Sequence, residues 1–228
     1  MRHAWLSGGL LACASFFVFP ANSATGRARV WIFDRLDKIG GMRPTVLGHP
    51  RVIPSPLGKA IQFNGADDAL FLPNHPLAGL REFTFEAIFR PESGGAEAQR
   101  WFHLAEQDPK TGADTGNRFL FEIRVIGNEW CLDAYVHTPA ADKALLDRNM
   151  LHPLDHWYDV AMVYDGNEFR SYVNGQLQGQ AALHFDPEGP GHSSIGTRIN
   201  KTFFFKGSIR EARFTPRPLS PAEFLKVP

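Results

Sequence analysis

The chain has 228 residues, and its 24 lysines and arginines are balanced by 24 aspartates and glutamates. This neutral balance argues against nucleic acid or an anionic membrane surface as the main partner, because both attract proteins with an excess of positive charge. Beyond the N-terminus no segment approaches the roughly 18 consecutive apolar residues of a membrane-spanning helix, so no membrane insertion is expected.

The N-terminus has the pattern of a secretory signal peptide. A basic start at Arg2 precedes an apolar run, Leu10 to Phe19, and then Pro20. Small residues up to Ser23 suit a signal peptidase, and the run is too short for a stable membrane anchor. The sequence therefore predicts a cleaved signal over residues 1–23, a single domain over residues 24–228, and a secreted or periplasmic location.

The two cysteines add little to the predicted fold. Cys13 follows two leucines and an alanine, as in a lipoprotein cleavage box. Anchoring there is not expected, because Phe16 to Phe19 would remain as an apolar stub after the modified cysteine. With Cys13 removed, Cys131 alone cannot form an internal disulfide, so the mature domain relies on its hydrophobic core.

Short runs of β-branched and aromatic residues alternate with turns rich in Gly, Pro, Asn or Asp. This spacing, with hardly any helical periodicity, predicts an all-β sandwich or barrel. Two short helical turns are predicted, at Asp142 to Met150 and at Ser220 to Leu225. In the second, Ser220 and Glu223 have the spacing of a capping box. The predicted strands are Ala60–Phe63, Phe83–Phe89, Phe119–Val125, Trp130–Val136, Trp157–Tyr164, Phe169–Val173 and Ile209–Phe214.

The segment Phe119 to His137 is predicted to form a β-hairpin that turns at Gly127-Asn128. Alternation then places its large apolar side chains on one face, which must be the core face. The opposite face brings Glu122 directly across from Asp133, an unfavourable pair of like charges unless a cation intervenes. Such a face also carries Arg118, Arg124, Tyr135 and His137, of which the two arginines and the histidine are candidates for that cation.

The chain resembles the laminin-G-like jelly rolls of the concanavalin A-like lectin and glucanase superfamily. The resemblance implies two antiparallel sheets, one concave and one convex, packed face to face. It is carried by VWIFD (30–34), GKAIQFNGADDALFLP (58–73), EFTFEAIFRP (82–91), HWYDVAMVYDGNEFRSYVNG (156–175), SIGTR (194–198) and FKGSIREARFTPRPLSPAEF (205–224).

One position departs from the family pattern. Members of this family commonly have Gly-x-Ile-Asp-Glu near the end, where the Asp helps to hold a structural calcium. Here Arg210 occupies that place, and a guanidinium repels a hard cation rather than binding it. No cofactor is therefore expected, and Asp34, Asp67 and Asp68 are interpreted as turn formers and surface charge.

Sugar-active relatives of this superfamily bind their ligand across the exposed side of the concave sheet. By that resemblance the outward face of the hairpin is a candidate glycan site, since carboxylates, arginine, tyrosine and histidine bind hydroxyl and carboxylate groups. A solvated face with compensating ion pairs is the alternative. The predicted ligand-binding residues are Glu86, Arg118, Glu122, Arg124, Asp133, Tyr135, His137 and Arg198.

Two other functions remain open. The first is a polysaccharide-cleaving enzyme, a lyase before a hydrolase, in which Tyr135, His137, Arg124 and Glu122 would be catalytic and Glu86 a second acid. The second is a protein-interaction module. Phe203, Phe204 and Phe205 cannot all face the core of a strand, so at least one is predicted to be exposed for a sugar or a protein partner.

Overall fold

The computed structural model describes residue 1 and residues 26–228. Cys13 and all but the first residue of the predicted signal peptide lie outside the described residues. Within the described part of the chain, no helix is long and apolar enough to cross a membrane.

The described residues form sixteen β-strands and one short 3₁₀ helix, Pro221–Glu223. The strands are β1 (Arg29–Ile32), β2 (Thr45–Leu47), β3 (Arg51–Ser55), β4 (Gly58–Asn64), β5 (Ala69–Leu72), β6 (Phe83–Pro91), β7 (Ala98–Gln107), β8 (Asp114–Ile126), β9 (Glu129–Thr138), β10 (Ala141–Leu146), β11 (His152–Pro153), β12 (Tyr158–Tyr164), β13 (Glu168–Val173), β14 (Gln176–Ala182), β15 (Gly191–Ile195) and β16 (Lys206–Thr215).

The strands form two antiparallel sheets of eight strands each, the jelly-roll sandwich that the sequence predicts. The hairpin sheet has the order β10-β9-β8-β7-β15-β5-β2, with β11 beside β9. The opposite sheet has the order β14-β13-β12-β6-β16-β4-β3, with β1 beside β16. Strands that are distant in sequence therefore lie side by side in the middle of both sheets.

Aromatic side chains fill the space between the two sheets. Phe85 of β6 stacks on Phe121 of β8 with ring centroids 4.1 Å apart, and Phe89 stacks on Trp101 of β7 at 4.7 Å. All four side chains are fully buried. Because each large apolar side chain contributes roughly 1.5–3 kcal/mol on burial, this layer determines which face of every strand turns inward.

The predicted hairpin is confirmed, and its register is the predicted one. Strands β8 and β9 join through Gly127 and Asn128, with Glu122 opposite Asp133 and Leu120 opposite Tyr135. Gly127 has a φ of 61°, the left-handed conformation that glycine tolerates best and that two-residue hairpin turns require.

One of the two predicted helical turns is wrong. Residues Ala141–Leu146 form the edge strand β10, paired along β9, because a free strand edge offered partners for their backbone groups. The C-terminal turn is confirmed as the 3₁₀ helix Pro221–Glu223. There the Ser220 backbone N–H donates to the Glu223 carboxylate at 2.9 Å.

The segment 217–225 covers the outer face of the opposite sheet. Leu219 and Phe224 pack against Ala161 and Val163 of β12, and Thr84 Oγ1 of β6 donates to the Arg217 carbonyl at 2.9 Å. The corresponding outer face of the hairpin sheet carries an open hollow.

Candidate functional site

The outward face of the hairpin sheet contains a hollow of about 330 Å³, here called the polar hollow. Strands β7 to β10 supply most of its lining, because alternate residues of each strand point away from the core. The lining residues are Arg100, Arg118, Leu120, Glu122, Arg124, Asp133, Tyr135, Ala144 and Arg198.

Two buried carboxylates form the floor of the polar hollow. Glu122 and Asp133 are 3% and 2% exposed. Nη2 of Arg124 lies 2.7 Å from Oε2 of Glu122 and 2.6 Å from Oδ2 of Asp133. The predicted clash of like charges is therefore relieved by Arg124. Because these groups are buried, they form an internal ion network rather than a solvated face.

A second arginine completes this network from the neighbouring strand. Nε of Arg100 on β7 lies 3.0 Å from Oε1 of Glu122. The Arg100 guanidinium also lies 3.9 Å from the ring centroid of Phe203, a cation–π contact. Phe203 is 46% exposed, so an aromatic ring stands beside the hollow within reach of a ligand.

The environment of Asp133 raises its pKa to about 6, so that it is still a carboxylate at neutral pH. Burial raises the pKa of Asp133, and the neighbouring Glu122 carboxylate raises it further, while Arg124 and Arg100 oppose both effects. Its Oδ1 atom is buried without a hydrogen-bond partner among the described residues. A buried acceptor of this kind gains free energy when a ligand donates to it.

Tyr135 lies at the edge of the hollow between a cation and an acid. Its hydroxyl donates to Oδ1 of Asp142 at 2.6 Å and accepts from Nη2 of Arg118 at 3.3 Å. Burial raises the pKa of Tyr135, and the bond to Asp142 adds to the effect. The ring of His137 is parallel to that of Tyr135 at 6.4 Å, but His137 does not line the hollow.

A smaller recess of about 150 Å³ adjoins the polar hollow, and Arg118 and Arg198 line both. His103, which is 3% exposed, forms part of its wall. The backbone N–H of Ile199 donates to Nδ1 of His103 at 3.0 Å. Across the recess, Asp114 pairs with His192 at 2.8 Å.

The surroundings of His103 keep its imidazole neutral. Burial lowers the pKa of His103 to about 2, and the nearby Arg198 and Arg118 cations contribute in the same direction. Since Nδ1 accepts a hydrogen bond, the ring proton is on Nε2. That nitrogen is buried and has no partner among the described residues.

The structure brings together most of the predicted ligand-binding residues. Arg118, Glu122, Arg124, Asp133, Tyr135 and Arg198 line the polar hollow. His137 is on the same face, opposite Arg118 on the neighbouring strand, but outside the lining.

The placement of Glu86 in this site is wrong. Glu86 is on β6 of the opposite sheet and is fully buried. Arg213 donates to it at 2.6 and 2.7 Å, and the Leu225 backbone N–H donates at 2.8 Å. The C-terminal segment covers Glu86, so it cannot serve as a second acid for the hairpin face.

Sequence reasoning missed three residues of the site: Arg100, His103 and Ala144. The register of β7 is interrupted at Trp101, so that Arg100 pairs with Glu122 and Phe102 with Phe121. Simple alternation from Arg100 would have placed His103 in the core. The alternation of residues around Arg100 could have indicated that this side chain points outward. The irregular register at Trp101, on which the position of His103 depends, had no such signal in the sequence.

Of the three consecutive phenylalanines, one is exposed, as predicted. Phe203 is exposed and has a φ of 59°. Phe205 is fully buried between Phe63 and Phe89, so a partner surface made of all three residues is wrong. Phe205 therefore points into the core, whereas Phe203 lies at the rim of the hollow beside Arg100.

The residues at the family's calcium position do not fit a cation in this structure. The Nε of Arg210 donates to the Leu57 carbonyl at 2.7 Å. Both carboxylate oxygens of Asp68 accept backbone N–H groups, from His49 at 2.6 Å and Asn64 at 3.0 Å. Within residues 26–228 no group of three His, Cys, Asp or Glu side chains has the arrangement of a metal site.

The sequence was also compared with known protein families. A model of the concanavalin A-like lectin/glucanases superfamily, Laminin_G_3, matches residues 64–224. The chain belongs to this family. A search of curated protein sequences gave no significant match.

Solved structures of similar fold include several carbohydrate complexes. Domain 4 of AbnA, an extracellular arabinanase from Geobacillus stearothermophilus in complex with arabinotriose, has a TM-score of 0.58 at 19% identity, covering 87% of this chain and 86% of that domain. Trypanosoma rangeli sialidase in complex with the inhibitor DANA has a TM-score of 0.58 at 12% identity, covering 85% of this chain and 31% of the sialidase.

A third similar structure is the binding domain of botulinum neurotoxin DC in complex with SialylT. Its TM-score is 0.56 at 9% identity, with 86% of this chain and 49% of that chain covered. At these identities the similarity shows a shared fold. This laminin-G-like chain spans less than half of the sialidase and of the toxin structure.

Proposed function

We propose that this laminin-G-like domain binds glycan in the polar hollow and the adjoining recess. The observation that supports this most is the ion network of the floor. Glu122 and Asp133 are held in place by Arg124 within a cavity of about 330 Å³. A polar surface that is rigid before binding loses little entropy when a ligand arrives.

The chemistry of the hollow suits a sugar. The arginines offer hydrogen-bond donors, and the unpartnered Oδ1 of Asp133 offers an acceptor. Leu120 gives the floor an apolar patch, and Phe203 stands at the rim. Sugar rings present hydroxyl groups at their edges and C–H groups on their faces, so a mixture of polar groups and aromatic rings complements them. The carbohydrate complexes among similar folds support the same class of ligand.

The same geometry disfavours hydrolysis. A glycosidase needs two carboxylates with a sugar between them, separated by about 5 Å or more. Here Glu122 and Asp133 both contact a single nitrogen atom of Arg124. This cation holds the two carboxylates close together, so they do not lie on opposite sides of a ligand.

A lyase is the second candidate, because Tyr135 and Arg118 are in contact at 3.3 Å inside the hollow. A lyase needs a base beside a cation that neutralises a uronate. However, the Tyr135 hydroxyl already donates to Asp142, and its pKa is raised, so the phenolate that would abstract a proton is disfavoured. Arg124 is occupied by two carboxylates. We therefore propose binding without cleavage.

We also propose that residues 1–23 direct export, and that the mature domain works outside the cytoplasm without calcium. The first part rests on the sequence pattern alone. The second rests on the Arg210 contact with Leu57 and on the two backbone N–H groups that occupy Asp68.

A glycan array with the purified protein tests the proposed function. The variant Ala144→Trp fills the hollow from its edge strand and leaves the residues of the ion network unchanged. The matched control is Ala182→Trp, because Ala182 is exposed on the edge strand β14 of the opposite sheet. We expect the wild-type protein and the control to bind a common class of glycan, and Ala144→Trp to bind it about tenfold more weakly or worse.

Two results would overturn the proposal: a silent array, or full binding by Ala144→Trp. Incubation of the bound glycan with the protein, followed by ultraviolet absorbance of unsaturated uronates, distinguishes the lyase. No increase in absorbance is expected. An increase that Tyr135→Phe abolishes would show that the protein cleaves the glycan, and the proposal of binding without cleavage would be wrong.

A further inference from the structure

Arg118 and Arg198 lie where the polar hollow meets the recess, and both line the two cavities. They come from different parts of the fold, since Arg118 is in β8 and Arg198 follows β15. Their positions depend on the pairing of β15 with β7, which places Ser194 beside His103. The junction is therefore a product of the tertiary structure.

Neither of these two arginines forms a direct ion pair within the described residues, and the Tyr135 hydroxyl links Arg118 to Asp142. The two acids of the hollow are bridged by Arg124 and Arg100. Within residues 26–228 no carboxylate lies within 4.0 Å of a guanidinium nitrogen of Arg118 or Arg198. Arg118 donates to the Gly116 carbonyl at 2.6 Å, while its Nε is buried without a partner. The junction thus has an excess of positive charge and of hydrogen-bond donors.

His103 adds a donor to the same place. Its Nδ1 accepts from the Ile199 N–H, which leaves the hydrogen on the buried, unpartnered Nε2. The side chain is 3% exposed and lines the recess. A buried donor without a partner costs about 1–3 kcal/mol, which a suitable acceptor on a ligand would recover. Oδ1 of Asp114, the acid of the recess, lies 2.8 Å from Nε2 of His192.

We propose that Arg118, Arg198 and His103 bind the carboxylate of an acidic sugar, so that the glycan recognised is a uronate-bearing polysaccharide. A carboxylate offers only acceptors, and guanidinium groups match its planar geometry. This inference rests on the proposed function and specifies its ligand. The polar hollow binds the sugar chain, and the recess binds the carboxylate of that chain.

The test compares acidic oligosaccharides with neutral counterparts of the same linkage. Oligogalacturonate, oligomannuronate and hyaluronan oligosaccharides are each titrated into the full protein beside their carboxyl-reduced forms, and heat of binding is measured by calorimetry. We expect at least one acidic form to bind about tenfold or more tightly than its reduced form, the difference that a charge-assisted hydrogen bond contributes.

Three variants assign this preference to the recess. Arg118→Gln and Arg198→Gln should each lose about tenfold in affinity for the acidic form and lose less for the reduced form, so that the ratio of the two affinities falls towards one. His103→Asn retains an acceptor near the position of Nδ1 but lacks the Nε2–H, so it should lose affinity in the same selective way. Arg51→Gln is the matched control, because Arg51 is exposed on β3 of the opposite sheet.

The outcomes separate this inference from the proposed function. Equal binding of the acidic and reduced forms, or an array that reports only neutral glycans, overturns the carboxylate site and leaves glycan binding intact. An acid preference that survives Arg118→Gln and Arg198→Gln also overturns it. If the array and the titrations are both silent, the inference and the proposed function are wrong together. Circular dichroism of every variant checks that the fold is retained.

Discussion

His103 is a buried histidine whose protonation is opposed from two directions. Burial disfavours a charged ring, and the Arg118 and Arg198 cations repel the positive charge that protonation would add. One ring nitrogen accepts from a backbone N–H while the other has no partner. A group in this state is a neutral hydrogen-bond donor at physiological pH.

The depressed pKa of His103 predicts a loss of stability in acid. Its pKa is about 2 in the folded protein and about 6.5 in an unfolded chain. Above pH 6.5 the histidine is neutral in both states and its titration does not change the stability. As the pH falls from 6.5 towards 2 the protein loses stability, because the unfolded state alone takes up the proton.

Urea unfolding from about pH 7.5 to about pH 4 measures this effect, because this range includes the pKa of roughly 6.5 expected for an unfolded histidine. The stability of the wild type relative to His103→Asn should fall by up to about 1.4 kcal/mol per pH unit below pH 6.5. The exposed His184 provides the control variant His184→Asn. A constant difference between the wild type and His103→Asn across this range would contradict the prediction.

Three neighbouring strands share one buried ion network. Arg100 comes from β7, Glu122 and Arg124 from β8, and Asp133 from β9. Breaking a buried ion pair is costly because the remaining charge is desolvated and unpaired, although replacing the whole pair with apolar groups can be neutral. The network thus specifies how these strands align more than it adds to the total stability.

Removal of Arg124 should be strongly destabilising. Arg124→Gln leaves Asp133 without a cation while Glu122 retains Arg100, so we expect the free energy of unfolding to fall by about 3 kcal/mol. Adding Asp133→Asn to this variant should recover part of the loss, because the unpaired carboxylate is then absent. Chemical denaturation of the three proteins measures both effects.

An exposed ion pair provides the matched control. Arg148 and Glu97 are 3.4 Å apart, with side chains 53% and 67% exposed. Arg148→Gln should change the free energy of unfolding by no more than about 1 kcal/mol. Similar losses in Arg124→Gln and Arg148→Gln would show that the buried network has no special role in the stability of the hairpin sheet.

At the scale of the whole molecule, the two sheets differ in what lies on their outer faces. Segment 217–225 crosses the opposite sheet and is held there by Glu86, Thr84 and a small apolar cluster. The hairpin sheet retains an open polar hollow with a recess beside it. The C-terminal segment therefore covers Glu86 and part of the outer face of the opposite sheet.

Chelation tests whether the fold depends on calcium. We expect EDTA, and added calcium chloride, to leave the melting temperature unchanged, because the Arg210 cation occupies the expected calcium position and both oxygens of Asp68 accept backbone N–H groups. A bound structural ion at a hundred times its dissociation constant would contribute about 2.7 kcal/mol. A drop of several degrees in EDTA that calcium reverses and magnesium does not would refute the expectation.

Much of the architecture was accessible from local patterns. The turn at Gly127-Asn128 and the alternation of apolar side chains predicted the pairing of Glu122 with Asp133, which the structure confirms. A two-residue turn determines the register of its strands, and burial of one face determines their orientation. The all-β class followed from the same physics, and the match of a family model to residues 64–224 confirms the resemblance.

The sequence by itself determined the fold class, the hairpin and its polar face, because these depend on residues close together in the chain. The tertiary structure alone decided that β15 is the neighbour of β7, that the irregular register at Trp101 turns His103 outward, and that Glu86 lies under the C-terminal segment. These placements depend on which remote strands pack together, and that choice is made by the shared core as a whole.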